Sequence, residues 1–140
     1  MNKFLFYASA RWFGEACLEL CVTRTTPQGK KQIYLIPRPD DDPFYPGMLH
    51  LPGVRKIPNE MEPGQLRRLQ GELPFRLSNY KLTYLASGTY KAKRGTEYAD
   101  IRGVVVPYKS TDTDFYDMDR IPRNVIEHHK EIIKMVRNIK

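Results

Sequence analysis

Groups able to hold a metal ion or a phosphate stand at informative spacing in residues 51–75, LPGVRKIPNEMEPGQLRRLQGELPF. It offers a Pro52-Gly53 turn, the cations Arg55 and Lys56, and the carboxylates Glu60, Glu62 and Glu72. Two carboxylates such as Glu60 and Glu72 can position one Mg²⁺, a hard cation that takes oxygen ligands and leaves its other places to water and phosphate. Arg68 works against this, because it stands four residues before Glu72 on the same helical face. A guanidinium ~6 Å from a divalent ion, at an effective dielectric of ~20, would be repelled by roughly 5 kcal/mol. Arg68 also has the spacing to pair with Glu72 and mask it.

The elements that must position these groups follow from pattern. Pro63 suits the first helical position, Glu62 reads as its cap, and Leu66, Leu69 and Leu73 recur at helical spacing until Pro74 stops the run. Upstream, residues 15–22 alternate: Ala16, Leu18, Leu20 and Val22 face one way, Glu15, Cys17, Glu19 and Cys21 the other. The turn TTPQGKK joins this strand to QIYLIPR, so residues 15–38 read as a hairpin. PDDDPFYPG is a rigid loop, and residues 48–51 form a short strand. Residues 79–92 read as a strand pair or one long bent strand, IRGVVVPYK as a buried strand, and STDTDFYDMDR as an acidic loop. The last helix opens at Pro122, with Val125, Ile126, His129, Ile132, Ile133 and Val136 on one stripe. This order predicts an α/β sandwich with a mixed β-sheet between helices, in a single domain over residues 1–140.

The spacing within residues 51–75 resembles the Nudix box: Gly, five residues, Glu, seven residues, then Arg-Glu-apolar-x-Glu-Glu-x-Gly-apolar. Counted from Gly53, Asn59 stands at the first Glu, Arg67 at the Arg, and Arg68 at the second Glu. Leu69 keeps the apolar position, Gly71 stands at the third Glu, Glu72 matches the fourth, Pro74 replaces the Gly and Phe75 closes the box. A second register, set by Leu-Pro-Gly itself, puts Glu60 at the loop glutamate and deletes one residue before the helix. Both registers stay open, and in either the box is degenerate. The resemblance spans roughly residues 14–137 and implies a Nudix-like α/β/α sandwich.

In active members of that family, glutamates hold Mg²⁺ on the diphosphate of a nucleoside diphosphate linked to another group, and water attacks phosphorus. Carried over, this implies Glu60 and Glu72 as metal-facing carboxylates and Mg²⁺, with Mn²⁺ as its substitute, as the cofactor. It also implies Gly53, Arg55 and Lys56 at the phosphate and Glu97 as a compensating catalytic base. The partner would be a nucleotide or other diphosphate-containing small molecule, and hydrolysis would be slow for want of glutamates. One alternative is a non-catalytic nucleotide- or phosphate-binding regulatory module; another is a nucleic-acid-associated protein. Family habit adds a homodimer as an open option.

Other candidates weigh less. His128-His129 lacks a third ligand at useful spacing, and His129 on the apolar stripe reads as a core-edge imidazole. His50, just before the Pro-Gly turn, reads as strand-end packing, with a ligand hydrogen bond as its other use. The acidic runs 40–42 and 112–119 lack the glycine-and-glutamate frame of a calcium loop. Tyr34, Phe44, Tyr45, Tyr84 and Tyr90 have faces on which a base could stack, and Arg38 adds charge near the phosphate.

A formal charge of +7 and a pI of ≈ 9.5 favour anionic ligands in general. The cations are spread along the chain without RNA-binding or zinc-finger motifs, so nucleic acid is not the favoured partner. Cys17 and Cys21, four apart on a strand, lie about 13 Å apart, too far for a disulfide. Reduced thiols suit a cytoplasmic location. The start, MNKFLFYASA, mimics a signal-peptidase site, but its apolar run is at the bottom of the ~7–15-residue range, so it reads as retained. No window approaches the ~20 apolar residues of a membrane span, which excludes a membrane partner of that kind.

Overall fold

Strand β1 (Glu15–Thr25) is the axis on which the other elements are laid. The computed structural model describes residues 14–139, so the signal-like stretch MNKFLFYASA lies outside the described residues. The hairpin read from sequence forms, β1 pairing antiparallel with β2 (Lys31–Tyr34), for example Thr23 with Ile33. The two-residue β3 (Ile36–Pro37) and β4 (Leu49–His50) pair with each other as a separate ribbon. β5 (Gly53–Arg55) returns to β1, setting Gly53 opposite Glu19 and Arg55 opposite Cys17.

Helix α1 (Glu62–Gln70) and a 3₁₀ turn (Leu77–Asn79) follow, then the long strands β6 (Thr83–Ala92) and β7 (Gly95–Val105). β7 lies parallel to β1, from Glu15 opposite Glu97 to Thr23 opposite Val105. β8 (Phe115–Asp117) pairs with β2, and α2 (Glu127–Arg137) closes the fold. The main sheet runs β6-β7-β1-β2-β8 with β5 also on β1, mixed in direction as expected.

The alternation of β1 sorts its side chains between two layers. Leu18, Leu20 and Val22 pack with Leu69 of α1, Leu77, Val104 and Val106. Cys21 joins Leu35, Leu51, Ile101, Ile132 and Ile133 on the α2 side. Both faces of β1 are therefore buried, and Glu15, Cys17 and Glu19 are enclosed with them. Cys17 and Cys21 are free thiols, and burial pushes both well up from the usual thiol range.

Several expectations need correction. The acidic loop contains β8, because Phe115 packs on Tyr34 (centroids 5.3 Å apart) and its strand completes β2's ladder. The last helix starts at Glu127, not Pro122. Val125 is held instead by a bridge to Leu49, with Ile126 N–H bonded to Leu49 C=O (3.0 Å). Glu62 caps nothing; α1 is entered through Met61, and Glu62 pairs with Arg102 at 3.0 Å. Residues 83–92 form the single long strand of the two readings, irregular between Tyr84 and Ala86. No helix among the described residues is long and apolar enough to cross a membrane.

Candidate functional site

Carboxylates and imidazoles meet in a cleft of about 260 Å³ at the end of the sheet where β1 and β7 begin. β1 supplies Glu15 and Glu19, two apart and so on one face, and the parallel register brings Glu97 of β7 beside them. The turn after β6 adds Arg94, and the first turn of α2 adds His128 and His129. The loop after β3 covers one side. Asp42 ties it together by accepting from Phe44 N–H, Tyr45 N–H (2.8 Å) and the Arg38 guanidinium. Tyr45 is thereby turned inward, its hydroxyl accepting from Lys93 N–H at 2.7 Å.

Leu51 fixes the protonation of two imidazoles at once. Its carbonyl can only accept, so His50 donates Nδ1–H to it (2.7 Å) and leaves Nε2 bare. Its N–H donates to His129 Nδ1 (2.9 Å), so in neutral His129 the proton sits on Nε2, 3.7 Å from Glu19 Oε1. Burial, reinforced by Arg38, holds His50 down at about 4; burial also holds His129 well below the usual imidazole range. Both rings are neutral at pH 7.

The carboxylates are unequal. Burial, with the Glu97 charge next, lifts Glu19 well above the ordinary range, and burial lifts Glu15 against the pull of Arg94. Burial pushes Glu97 up too, but the His128 contact and the charges around it outweigh that and hold it down. Neutral His129 adds little to this pull; His128 and Arg94 are the physical cause. Glu97 thus favours its ionised form, while Glu19 holds its proton more tightly than an ordinary carboxyl.

Gly53 lies between two of these groups. Its N–H donates to Glu72 Oε2 at 3.0 Å, while a Cβ on it would collide with the Glu19 carboxylate and come within 3.0 Å of the Leu18 carbonyl. Gly53→Ala is therefore expected to cost about 1–3 kcal/mol, measured by urea unfolding. An unchanged midpoint would show that Glu19 has room to move.

The structure separates the residues singled out from sequence. Gly53 and Arg55 line the cleft, Glu72 touches it only through the Gly53 N–H, and Glu97 is buried beside His128 without lining it. Glu60 does not join them: Arg68 holds both its oxygens, Nε at 2.9 Å from Oε2, and also donates to the Arg55 carbonyl at 2.8 Å. The expected Arg68–Glu72 pair is replaced by that contact. Lys56 leaves Arg55's side, its ammonium 3.1 Å from Asp100, because adjacent residues of an extended chain point oppositely. His129 is a wall of the cleft rather than a core edge.

Sequence reasoning missed Glu15, Glu19, Arg94 and His128 as site residues. Two glutamates among the apolar residues of a strand with both faces covered were the available signal; Arg94, in a turn, gave none. A wider apolar groove of about 440 Å³ lies elsewhere, lined by Leu85, Val104, Met118, Val136 and Ile139 among others, with no carboxylate among the described residues that line it.

No family profile matches the chain, and no curated protein matches its sequence. Solved structures do. A MutT/Nudix family protein from Listeria innocua superposes with a TM-score of 0.68 at 16% identity, over 88% of this chain and 91% of that one. The Nudix domain of Shewanella oneidensis NrtR, solved with ADP ribose, gives 0.62 at 15% identity over 98% and 97%. The C-terminal domain of mouse MUTYH, solved with human PCNA, gives 0.67 at 14% identity over 89% and 88%. At this level of identity the likeness speaks for architecture alone, and that architecture is the one the box spacing implied: this chain has the Nudix fold.

Proposed function

We propose that this Nudix domain binds a nucleotide-type compound carrying a diphosphate, and that its box does so without holding Mg²⁺. The observation that carries this reading is the Arg68 guanidinium, which occupies both oxygens of Glu60 and the carbonyl of Arg55. Carboxylate and carbonyl oxygens are what a hard dication needs. Here a side-chain cation has taken them, and Glu72, the remaining box carboxylate, accepts from Gly53 N–H. The box residues therefore do not fit Mg²⁺ at the Glu60–Glu72 pair.

The cleft supplies the other half of the reading. Arg38 and Arg55 line it with positive charge, and Tyr45 offers a ring. Along its wall the Nε2–H of His129, the bare Nε2 of His50 and the Glu19 carboxyl present a donor and acceptors suited to sugar hydroxyls or a base edge. The ADP ribose bound by the NrtR Nudix domain supports a ligand of this class.

Calorimetry with ADP ribose and nucleoside diphosphates, with and without Mg²⁺, tests it. Binding is expected to be indifferent to Mg²⁺ and at least tenfold weaker in Arg55→Ala; binding only with Mg²⁺ would overturn it. Arg68→Glu restores a box carboxylate and frees Glu60, so it is expected to create a measurable Mg²⁺ affinity. If Arg68→Glu binds Mg²⁺ no better than the parent, the guanidinium is not what excludes the ion.

Slow hydrolysis is the second reading, favoured by Glu97, buried just behind the cleft and 3.1 Å from Nε2 of His128, which does line it. A carboxylate so placed can take a proton from water. Phosphorus NMR of a nucleotide panel would show product, and Glu97→Gln is expected to abolish it; a panel that stays intact would leave binding as the sole activity.

A further inference from the structure

We propose that the apolar groove of about 440 Å³ binds a single-chain amphiphile with an anionic head, of the fatty-acid class. The groove exists because the helix over that face is short. β1 and α2 have 11 residues each, so at ~3.3 Å per strand residue against ~1.5 Å per helical residue the strand is about twice as long. Ile132 and Ile133 are enclosed against Ile101, but farther along β7 the sheet is left open. There Gly103 offers no side chain, and Leu85 lies across it, 2.8 Å from where a Cβ would stand. Val105 on the sheet side is 72% exposed and Ile139 on the helix side 40%. A contiguous apolar trough of this size is what small organic ligands occupy.

The charge at its rim has one sign. Arg24, Lys31 and Lys81 line the groove, and no carboxylate does so among the described residues. Arg24 is committed, donating from Nε to Gln32 (2.8 Å) and from Nη1 to the Lys109 carbonyl (3.0 Å). The Lys31 and Lys81 ammonium groups have no hydrogen bond or ion pair among the described residues. The carboxylates beside Met118 are engaged elsewhere: Asp117 accepts from Gln32 Nε2 (2.9 Å) and lies 3.8 Å from Lys30, and Asp119 lies 3.5 Å from Arg137.

Two available cations over an apolar floor match a ligand that is apolar along its length and negative at one end. The hydroxyls of Thr23, Thr25 and Thr83, also in the lining, can donate to its carboxylate. A neutral lipid would leave the lysines unanswered, and a polyanion without a tail would leave the floor bare. The groove lies where β1 and β7 end, whereas the nucleotide cleft lies where they begin, so this site does not rest on the nucleotide reading.

Calorimetric titration of the full chain with dodecanoate, kept below its micelle concentration, tests the proposal. One equivalent is expected to bind. Dodecyltrimethylammonium, with the same tail and the opposite head, is expected to bind at least tenfold more weakly, a comparison that needs no variant. The double variant Lys31→Glu, Lys81→Glu and the single variant Val105→Glu are each expected to lose at least tenfold in dodecanoate affinity. All these positions are exposed, so circular dichroism of the variants is expected to match the parent. Equal affinity for the two heads would reduce the groove to an unselective apolar surface and overturn the proposal. So would the absence of dodecanoate binding, whether the protein instead floats with phosphatidylglycerol vesicles or forms a dimer that Val105→Glu dissociates in sedimentation.

Discussion

Leu69→Ala is expected to destabilise the protein by about 2–5 kcal/mol and to weaken ligand binding at the cleft together with it. Leu69 is the one buried residue of α1 and is fully enclosed, packed with Leu18, Leu20 and Val22 of β1. A nine-residue helix with two arginines and a glycine has little intrinsic stability, so docking through this side chain holds it in place. Beyond its end, Glu72 reaches back to Gly53 N–H. Loosening the helix therefore releases the start of β5 at Gly53 as well as opening a cavity. Urea unfolding reads the stability and calorimetry with ADP ribose reads the cleft. A loss below about 1 kcal/mol would mean that α1 is held mainly by its polar contacts.

Acid is expected to remove about 3 kcal/mol through His50 alone. An unfolded His50 takes its proton near pH 6.5, whereas burial and the Arg38 charge delay this in the folded chain to about 4. Between those values the unfolded state binds the extra proton, so stability falls as pH drops through that window. His129, also depressed, acts in the same direction. Glu19 acts oppositely: the folded state keeps its proton above pH 4.5, so its term weakens stability as pH rises. The cleanest reading is thus a difference. His50→Gln, which keeps a donor for the Leu51 carbonyl, is expected to lose less stability than the parent between pH 6.5 and 4. Parallel curves for the two proteins over that range would show that His50 is protonated without cost.

The frame of the fold was present in local pattern. The alternation of residues 15–22, the turn at Pro27, the Leu66–Leu69 spacing and the final apolar stripe each depend on neighbours in sequence, and each produced its element; Pro52-Gly53 did not turn, since Gly53 opens β5 against β1. Errors fell where a distant partner decided. Residues 115–117 became a strand because β2 lay open to them, and Pro122 failed to start a helix because Leu49 held Val125 and Ile126 extended.

The site was harder still to read, since its members come from opposite ends of the chain. The box count identified Glu72 and Gly53 as neighbours in function, and one hydrogen bond joins them. The second register put Glu60 on the metal, where the fold gives Glu60 to Arg68 eight residues away. Sequence by itself determined the layers, the strand faces and the surviving spacing of the box, because side-chain periodicity is a local property of the backbone. Only tertiary structure decided which charges meet: the parallel pairing of β1 with β7 and the docking of α2 set Glu15, Glu97 and His128 together. Electrostatic interactions act through space, and the distances that govern them exist only once the chain has folded.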